Sequence, residues 1–416
     1  MSALGAVAAR IRADLWERPA RNVPGLDGLR AWGCASIVFF HCALFTGVIG
    51  AERATGELRV LQLAGQGAWT GVDVFFVLSG FLIGRILLAE RAATGGVRYG
   101  GFYLRRALRI FPAHYVVLAV AVLVLAPWNV GNLLFFTGAP DWRTLAATAW
   151  TNAVYLNNYL AVGRPNVLGW GWSLCVEEHF YLLLPPLLAA AFALRSTARM
   201  ALLAAAVLVP VAGRAAALGA GADSIATGAF YYFSHNRFDQ LMIGVLIAYG
   251  WVFHRAAFAR AVGRAGPALW LAGLVAVALV WRFGGLQHRG VFPVVFQLPM
   301  VAAGAGLLLV NALFADNVAT RVLAHRGWYP LARVSYGTYL VHPYVLFWAI
   351  TRLRGPLGLD VVHAPNLLAL YAVVLGLSWA VASVLFVGLE RPLLDLGGRL
   401  AARPAPRPAE RRATTG

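Results

Sequence analysis

The sequence has no lysine, and all 35 of its basic residues are arginine. Charge of either sign is scarce: Asp and Glu number 17, and charged residues make up 12% of the chain, about half the usual share in a globular domain. A chain of 416 residues cannot cover a soluble core with so few polar groups. This shortage excludes an ordinary soluble protein, and the 60% hydrophobic content predicts an integral membrane protein.

Cysteine is also scarce. Cys34, Cys42 and Cys175 each fall inside an apolar run, with neither the spacing of metal ligands nor a disulfide framework. No metal site is therefore expected. The net charge of +18 does not predict a nucleic-acid partner, because the positive-inside rule of membrane proteins requires arginines beside apolar runs.

Long apolar runs make up most of the chain. Ten of them have the roughly 20 mostly apolar residues that a transmembrane helix needs. They are residues 29–48, 68–89, 108–126, 170–194, 199–218, 232–253, 268–283, 292–314, 330–351 and 366–389. Residues 142–161 are rich in Thr and Asn and are expected to form an interfacial or re-entrant helix. The predicted fold class is an all-α integral membrane protein with about ten transmembrane helices plus that element.

The distribution of arginine predicts that both termini are cytoplasmic. With the N-terminus inside, about two thirds of the arginines lie in cytoplasmic connections and tails, as the positive-inside rule requires. Residues 1–23 are then a cytoplasmic N-terminal segment, and residues 24–395 form the membrane domain. Residues 396–416 are rich in Pro, Ala and Arg without an apolar period, which predicts a disordered cytoplasmic tail.

Two ionisable residues stand in the first apolar run. Arg30 and His41 are eleven residues apart, so on a helix they share one face with a rise of about 16 Å between them. An ionisable side chain inside a membrane is costly, which makes a function the default interpretation. The alternatives are an arginine that extends to the interface and an imidazole satisfied by hydrogen bonds between helices.

Two consecutive carboxylates, Glu177 and Glu178, enter another apolar run, "WGWSLCVEEHFYLLLPPLL". In the ten-span arrangement Glu177 lies at a depth similar to that of His41. We therefore predict that Glu177 pairs with His41, since a carboxylate can orient an imidazole and stabilise its protonated form. Glu178 projects about 100° away around the helix.

A basic connection precedes the third predicted span, "YLRRALRIFPAHY". Arg106 and Arg109 stand at i and i+3, so their guanidinium groups project together and can hold a phosphate in a fork geometry. The alternative is that these arginines serve only to fix the topology.

Three further segments carry polar residues inside apolar runs. "VDVFFVLSGFLIG" contains Asp73 and Ser79 in a span with two glycines, which favours close helix packing. "HNRFDQLMIG" contains Arg237 and Asp239, for which structural and functional roles stay open. "SYGTYLVHPYVLF" places His342 in the middle of a predicted span.

Taken together, these segments resemble the acyltransferase-3 family of bacterial membrane O-acyltransferases. The resemblance rests on Arg-x10-His in the first span, on Arg-x-x-Arg before the third, and on Trp-Ser-Leu-x-x-Glu-x-x-Phe-Tyr at residues 172–181. "VFFVLSGFLI", "RFDQLMIG" and "SYGTYLVHP" follow the same family pattern, and the resemblance covers residues 24–395. Cys175 and His179 depart from it, since serine and glutamine are common there.

The resemblance implies a ten-span enzyme of the bacterial cytoplasmic membrane. Such an enzyme transfers an acyl group, usually acetyl, from cytoplasmic acyl-CoA to a hydroxyl group. The acceptor is a sugar-containing molecule, either a surface polysaccharide or glycolipid, or a glycosylated natural product such as a macrolide.

Roles for individual residues follow from these motifs. His41 is predicted to be a general base with Glu177 as its partner. The less favoured alternative is that His41 carries the acyl group. Arg30, Arg106 and Arg109 are predicted to bind the CoA phosphates. The residues predicted to position the substrate are Tyr181, Arg237, Asp239 and His342.

Two interpretations from other classes compete with an enzyme. In a proton-coupled secondary transporter, the intramembrane His and Glu would relay protons, but internal repeats are not visible in the sequence. A non-catalytic sensor or scaffold would leave the buried His and Glu unexplained.

Overall fold

The structure, a computed structural model, describes residues 11–19, 22–51, 54–128, 138–221, 231–283, 289–359 and 361–401. In these ranges the chain is a bundle of helices without a β-sheet. The helices of the first half are α1 (Pro24–Phe45), α2 (Gly56–Ala68), α3 (Gly71–Thr94), α4 (Tyr99–Val120), α5 (Trp142–Ala153), α6 (Asn157–Leu160), α7 (Trp172–Ala193) and α8 (Ser196–Gly219). Those of the second half are α9 (Phe238–Phe253), α10 (Arg255–Phe283), α11 (Gln297–Phe314), α12 (Val318–Leu323), α13 (Tyr329–Arg333), α14 (Ser335–Leu353), α15 (Ala364–Leu385) and α16 (Arg391–Ala401).

The all-α membrane fold predicted from the sequence is confirmed. Each of the ten predicted spans falls on a helix, and in the described ranges eight helical segments are long and apolar enough to cross a membrane. The other two predicted spans fall on α9, whose 16 residues are short for a crossing, and on α14, whose composition is more polar. The described structure therefore supports eight spans by length and composition, compared with the ten predicted.

The predicted interfacial element at residues 142–161 consists of two short helices, α5 and α6. Asp141 caps α5 by accepting a hydrogen bond of 2.8 Å from the Thr144 backbone, and this bond lowers the pKa of Asp141. Between the helices Tyr155 has a φ of 56°, a left-handed conformation that no α-helix contains. Twelve residues at about 1.5 Å each are too few to cross a bilayer, so α5 is too short for a transmembrane helix.

Helix α1 lies at the centre of the bundle, where it packs against α2, α3, α13 and α14. Helix α3 packs most extensively against α9, and glycines make this possible. A Cβ added to Gly80 would lie 1.9 Å from the carbonyl oxygen of Leu241, and one added to Gly244 would lie 2.1 Å from that of Val77. The backbones of the two helices are thus in contact, which confirms the packing role expected for the glycines of this segment.

Apolar side chains cover much of the outward surface. Leu208 and Val209 on α8 and Leu271 on α10 are all exposed. In water such a surface would be costly, whereas lipid tails solvate it. The outward faces of these helices are therefore suited to a bilayer.

The first and last described segments meet at one end of the bundle. Asp14 forms an ion pair of 3.2 Å with Arg391, and Arg18 forms one of 2.8 Å with Asp27 at the start of α1. Helix α16 extends to Ala401, so residues 396–401 are helical and the predicted disordered tail begins too early. Residues 402–416 and 1–10 lie outside the described ranges.

Candidate active site

Three arginines from two helices line one cavity of about 130 Å³, here called the arginine cavity. Arg30 comes from α1, and Arg106 and Arg109 come from α4. All three are half-buried. Helices α3, α7 and α14 complete the wall, and they contribute Ser79, Glu177, Glu178, Tyr181, Ser335 and Tyr339 among others.

The arginines of this cavity have no carboxylate within ion-pair distance in the described part of the chain. None of the three forms an ion pair or a hydrogen bond there, and the contact of Arg106 is with the ring of Tyr181, 6.0 Å from its centroid. Guanidinium groups partly removed from water and left without an acceptor are unfavourable. An arrangement of this kind suits a multivalent anion such as a phosphate group.

Glu177 faces the arginine cavity, not His41. Ser79 and Tyr181, which share a hydrogen bond of 2.5 Å, are its polar neighbours, and the charges of Arg106 and Arg109 act on it. The predicted pair of Glu177 with His41 is therefore not formed. The rotation of α7 about its axis turns this carboxylate toward α3 and α4.

His41 lines a second cavity of about 350 Å³, here called the histidine cavity. Arg164 and Asn166 are its other strongly polar wall residues. Aromatic rings make up more than half of the lining, namely Phe40, Phe45, Trp69, Trp170, Trp172, Tyr231, Tyr232, Tyr339 and Phe347. A concave site with large rings and few polar groups is typical of a pocket for an organic ligand.

The partner of His41 is His342. The two imidazoles approach to 2.8 Å between Nδ1 of His41 and Nε2 of His342, and Nδ1 of His342 lies 2.7 Å from the carbonyl oxygen of Tyr339. A carbonyl only accepts, so Nδ1 of His342 carries a proton and, in the neutral ring, Nε2 is an acceptor. His41 then donates through Nδ1, and its Nε2 keeps a free lone pair.

This geometry separates the roles of the two histidines. His41 contributes to the wall of the histidine cavity, whereas His342 is fully buried behind it. His342 therefore contacts His41 and cannot contact a ligand in the cavity as placed. It is suited to orienting the imidazole, in the way a third group orients the histidine of a catalytic triad.

Arg237 and Asp239 lie in the protein interior, away from both cavities. Arg237 donates to Asp73 at 2.7 Å and to Gln240 at 3.1 Å, and Arg214 donates to Asp239 at 2.6 Å. All four charged side chains of this cluster (Arg214, Asp239, Arg237 and Asp73) are fully buried. Arg237 and Asp239 therefore contact protein and no open space. The prediction that Arg237 and Asp239 contact the substrate is not supported by this placement.

Arg237 still acts on the histidine cavity through aromatic rings. Its guanidinium carbon lies 4.5 Å from the ring centroid of Tyr231 and 5.3 Å from that of Trp172. Both rings line the histidine cavity. The ion-pair cluster therefore supports the cavity wall from behind by cation–π contacts.

Comparison with known proteins identifies the family. The profile of an acyltransferase domain (Acyl_transf_3) matches residues 23–386. The chain belongs to this acyltransferase family. The peptidoglycan O-acetyltransferase OatA of Listeria monocytogenes serovar 1/2a is 26% identical over 346 residues, which cover 77% of this chain and 49% of OatA. A Bacillus subtilis protein named "Putative peptidoglycan O-acetyltransferase YrhL" is 26% identical over 341 residues, which cover 77% of this chain and 48% of that protein.

This acyltransferase spans about half the length of the curated relatives it matches. No solved structure matches it significantly. The resemblance predicted from the motifs is confirmed, as is the prediction of an acyltransferase. In the described ranges, no group of three or more His, Cys, Asp and Glu residues is arranged to hold a metal ion.

The structure brings together the arginines predicted at the cofactor site of the acyltransferase, and Tyr181 joins them at the cavity wall. Several residues were missed from sequence, including Arg164 and Asn166 of the histidine cavity. Arg214, the partner of Asp239, stands near the end of an apolar run but still inside it, and that position alone could have marked it as needing a buried carboxylate. Tyr339 lines both cavities, and no pattern in the sequence indicated this.

Proposed function

We propose that the chain is an O-acetyltransferase of the bacterial cytoplasmic membrane. Its donor, acetyl-CoA, enters the arginine cavity from the cytoplasm, and its acceptor is a hydroxyl group of a sugar-containing molecule in the histidine cavity. The observation that carries this proposal is the arrangement along α1. Arginines that form no ion pair within the described ranges surround one cavity, and an imidazole with a free lone pair faces the other.

The donor fits the spacing of these groups. Arg30, Arg106 and Arg109 would hold the phosphates of CoA by charge-assisted forks. Arg30 and His41 are separated by about 16 Å along α1. An extended pantetheine arm is about as long as five extended residues, roughly 17 Å at 3.3–3.6 Å each, so it reaches from the arginines to His41.

The chemistry assigned to His41 is general base catalysis. Nε2 takes the proton of the acceptor hydroxyl while its oxygen attacks the thioester carbonyl carbon. The tetrahedral intermediate collapses as the C–S bond breaks, and the imidazolium returns the proton to the CoA sulfur. His342 keeps the imidazole in the tautomer that leaves Nε2 unprotonated.

Glu177 takes a different role from the one predicted. Because it faces the arginine cavity with Ser79 and Tyr181, we assign it to the donor side, where its carboxylate offsets part of the arginine charge. Tyr181 is assigned there too, as the ring beneath Arg106.

The acceptor assignment rests on the lining of the histidine cavity. Aromatic rings offer flat apolar surfaces to the C–H faces of a sugar, and Asn166 and Arg164 offer hydrogen bonds to its hydroxyl groups. OatA, whose name specifies peptidoglycan, supports a glycan as the first acceptor to test. Polysaccharides, glycolipids and glycosylated natural products share this chemistry.

The experiment uses the purified full-length chain with radiolabelled acetyl-CoA and soluble peptidoglycan fragments. Ester-bound acetyl is released by mild alkali and counted. His41→Ala should lower kcat by roughly 100- to 10,000-fold, the usual contribution of a general base. His254→Ala, which changes an exposed histidine at the end of α9, is the matched control and should leave transfer unchanged. Undiminished transfer by His41→Ala would refute the assignment of the base.

A further inference from the structure

The arginine cavity and the histidine cavity share three wall residues, Ile37, Val72 and Tyr339. They come from α1, α3 and α14 respectively. Each side chain is mostly buried, with exposed fractions of 2%, 8% and 8%. The partition between the cavities is therefore a single layer of side chains, and a group that moves from one cavity to the other passes between these three.

One side of the partition is fixed by close contact of α1 with α3. A Cβ added to Gly71 would lie 2.7 Å from the carbonyl oxygen of Gly33 and 3.1 Å from Cγ1 of Ile37. The two backbones thus approach as near as glycine permits, and Ile37 lies directly against α3. Ile37 and Val72 are also β-branched, and in a helix such residues have one strongly preferred rotamer. Neither side chain can move aside freely.

The other side is fixed by hydrogen bonds. The hydroxyl of Tyr339 donates to the carbonyl oxygen of Trp170 at 2.6 Å, and that of Ser173 lies 2.7 Å away and donates to Tyr339. Trp170, just before α7, and Ser173, in its first turn, therefore hold the phenol in place. Its ring forms a fixed edge opposite the two aliphatic side chains.

We propose that Ile37, Val72 and Tyr339 form a filter that limits the length of the acyl group. This proposal rests on the proposed function, because the acyl group passes the filter only if the donor lies in the arginine cavity and the acceptor in the histidine cavity. A rigid opening that admits an acetyl group resists each added methylene, since neighbouring groups cannot relax without strain. Discrimination of one methylene by an enzyme pocket is typically about 10- to 200-fold.

The test compares acetyl-, propionyl- and butyryl-CoA as donors for the purified full chain, with soluble peptidoglycan fragments as acceptor. The measured quantity is the ratio of kcat/KM for each longer donor to that for acetyl-CoA. Val72→Ala, which widens the opening, should raise the butyryl ratio at least about 10-fold. Val72→Ile, which narrows it, should lower the propionyl ratio. Val74→Ala is the matched control, because Val74 is buried on the same helix outside both cavity walls.

The outcomes separate the filter from the function on which it rests. An unchanged donor ratio in both Val72 variants, with acetyl transfer still measurable, would refute the filter alone. An equal rise in the butyryl ratio for Val72→Ala and Val74→Ala would also refute it, since general loosening of α3 would then be the cause. Absence of transfer from all three donors by the unmodified chain would refute the proposed function itself.

Discussion

Two groups of arginines lie within the helical bundle, and their surroundings differ. Arg214 and Arg237 are fully buried, and each donates to a carboxylate within 2.7 Å. Arg30, Arg106 and Arg109 are half-buried around a cavity, and in the described chain no carboxylate lies within ion-pair distance of them. The first group is explained by its protein partners, whereas the second group is not.

The difference indicates which charges serve the fold and which serve a ligand. A buried charge is tolerated when an opposite charge and hydrogen bonds compensate it. Where these are absent, the cost of placing a guanidinium inside a membrane has to be offset by something that binds. The two histidines differ in the same way, since His342 is enclosed by protein and His41 faces a cavity.

The largest expected effect follows from removing two cavity arginines. Arg106→Ala with Arg109→Ala should weaken acetyl-CoA binding by about 150- to 25,000-fold, because charge-assisted bonds contribute roughly 1.5–3 kcal/mol each. Stability should not fall, since no ion pair is broken. Isothermal titration calorimetry measures the affinity, and thermal unfolding in detergent measures the stability.

The control for this variant is Arg105→Ala, because Arg105 is the adjacent arginine and does not line the cavity. Its affinity for acetyl-CoA should match that of the unmodified chain. If the double variant also binds normally, the cavity arginines serve only the topology, and the comparison between the two groups fails.

The paired arginines should show the opposite behaviour. Arg237→Met leaves Asp73 buried without its cation, and loss of one partner of a buried ion pair typically costs about 3–5 kcal/mol of unfolding free energy. The unfolding temperature should therefore fall clearly. The double variant Arg237→Met with Asp73→Asn removes the orphaned charge and should recover part of the loss. An unfolding temperature unaffected by Arg237→Met would contradict a structural role.

The positions of the membrane helices could be predicted from the sequence, but the break between α5 and α6 could not. Hydropathy and length located a helix at each predicted span, because a bilayer imposes the same requirement on every crossing. The sequence did not predict that residues 142–161 form two helices separated at Tyr155. The left-handed conformation of Tyr155 ends the first helix, and tyrosine rarely adopts that conformation.

The polar residues of the candidate site could be predicted from the sequence, but their pairing could not. The cost of intramembrane charge marked Arg30, His41 and Glu177 as needing polar surroundings, and the structure gives each of them a cavity or a partner. Which residue meets which depends on how each helix is rotated against its neighbours, and a single sequence does not contain that rotation. The His41–Glu177 pair was predicted wrongly on this account, although two intramembrane histidines offered an alternative pair.

Arg30 tests whether the cavity arginines act as one site. It belongs to α1, whereas the other two belong to α4, so a shared anion would connect different helices. Arg30→Ala should weaken acetyl-CoA binding by about 10- to 150-fold, the equivalent of one charge-assisted bond. A calorimetric affinity equal to that of the unmodified chain would place Arg30 outside the donor site and leave the α4 pair acting alone.

The smallest expected effect concerns His342, the enclosed member of the histidine pair. His342→Leu removes the acceptor for Nδ1–H of His41, so the imidazole loses its fixed tautomer and orientation. Partners that orient a functional imidazole, as in metal sites, typically contribute about 10- to 100-fold in activity, and we expect a fall in kcat of that size with KM for acetyl-CoA unchanged. His342→Gln retains an acceptor oxygen and should recover part of the lost rate. A loss of donor affinity in His342→Leu, or equal rates for the Leu and Gln variants, would show that His342 supports the fold and does not orient His41.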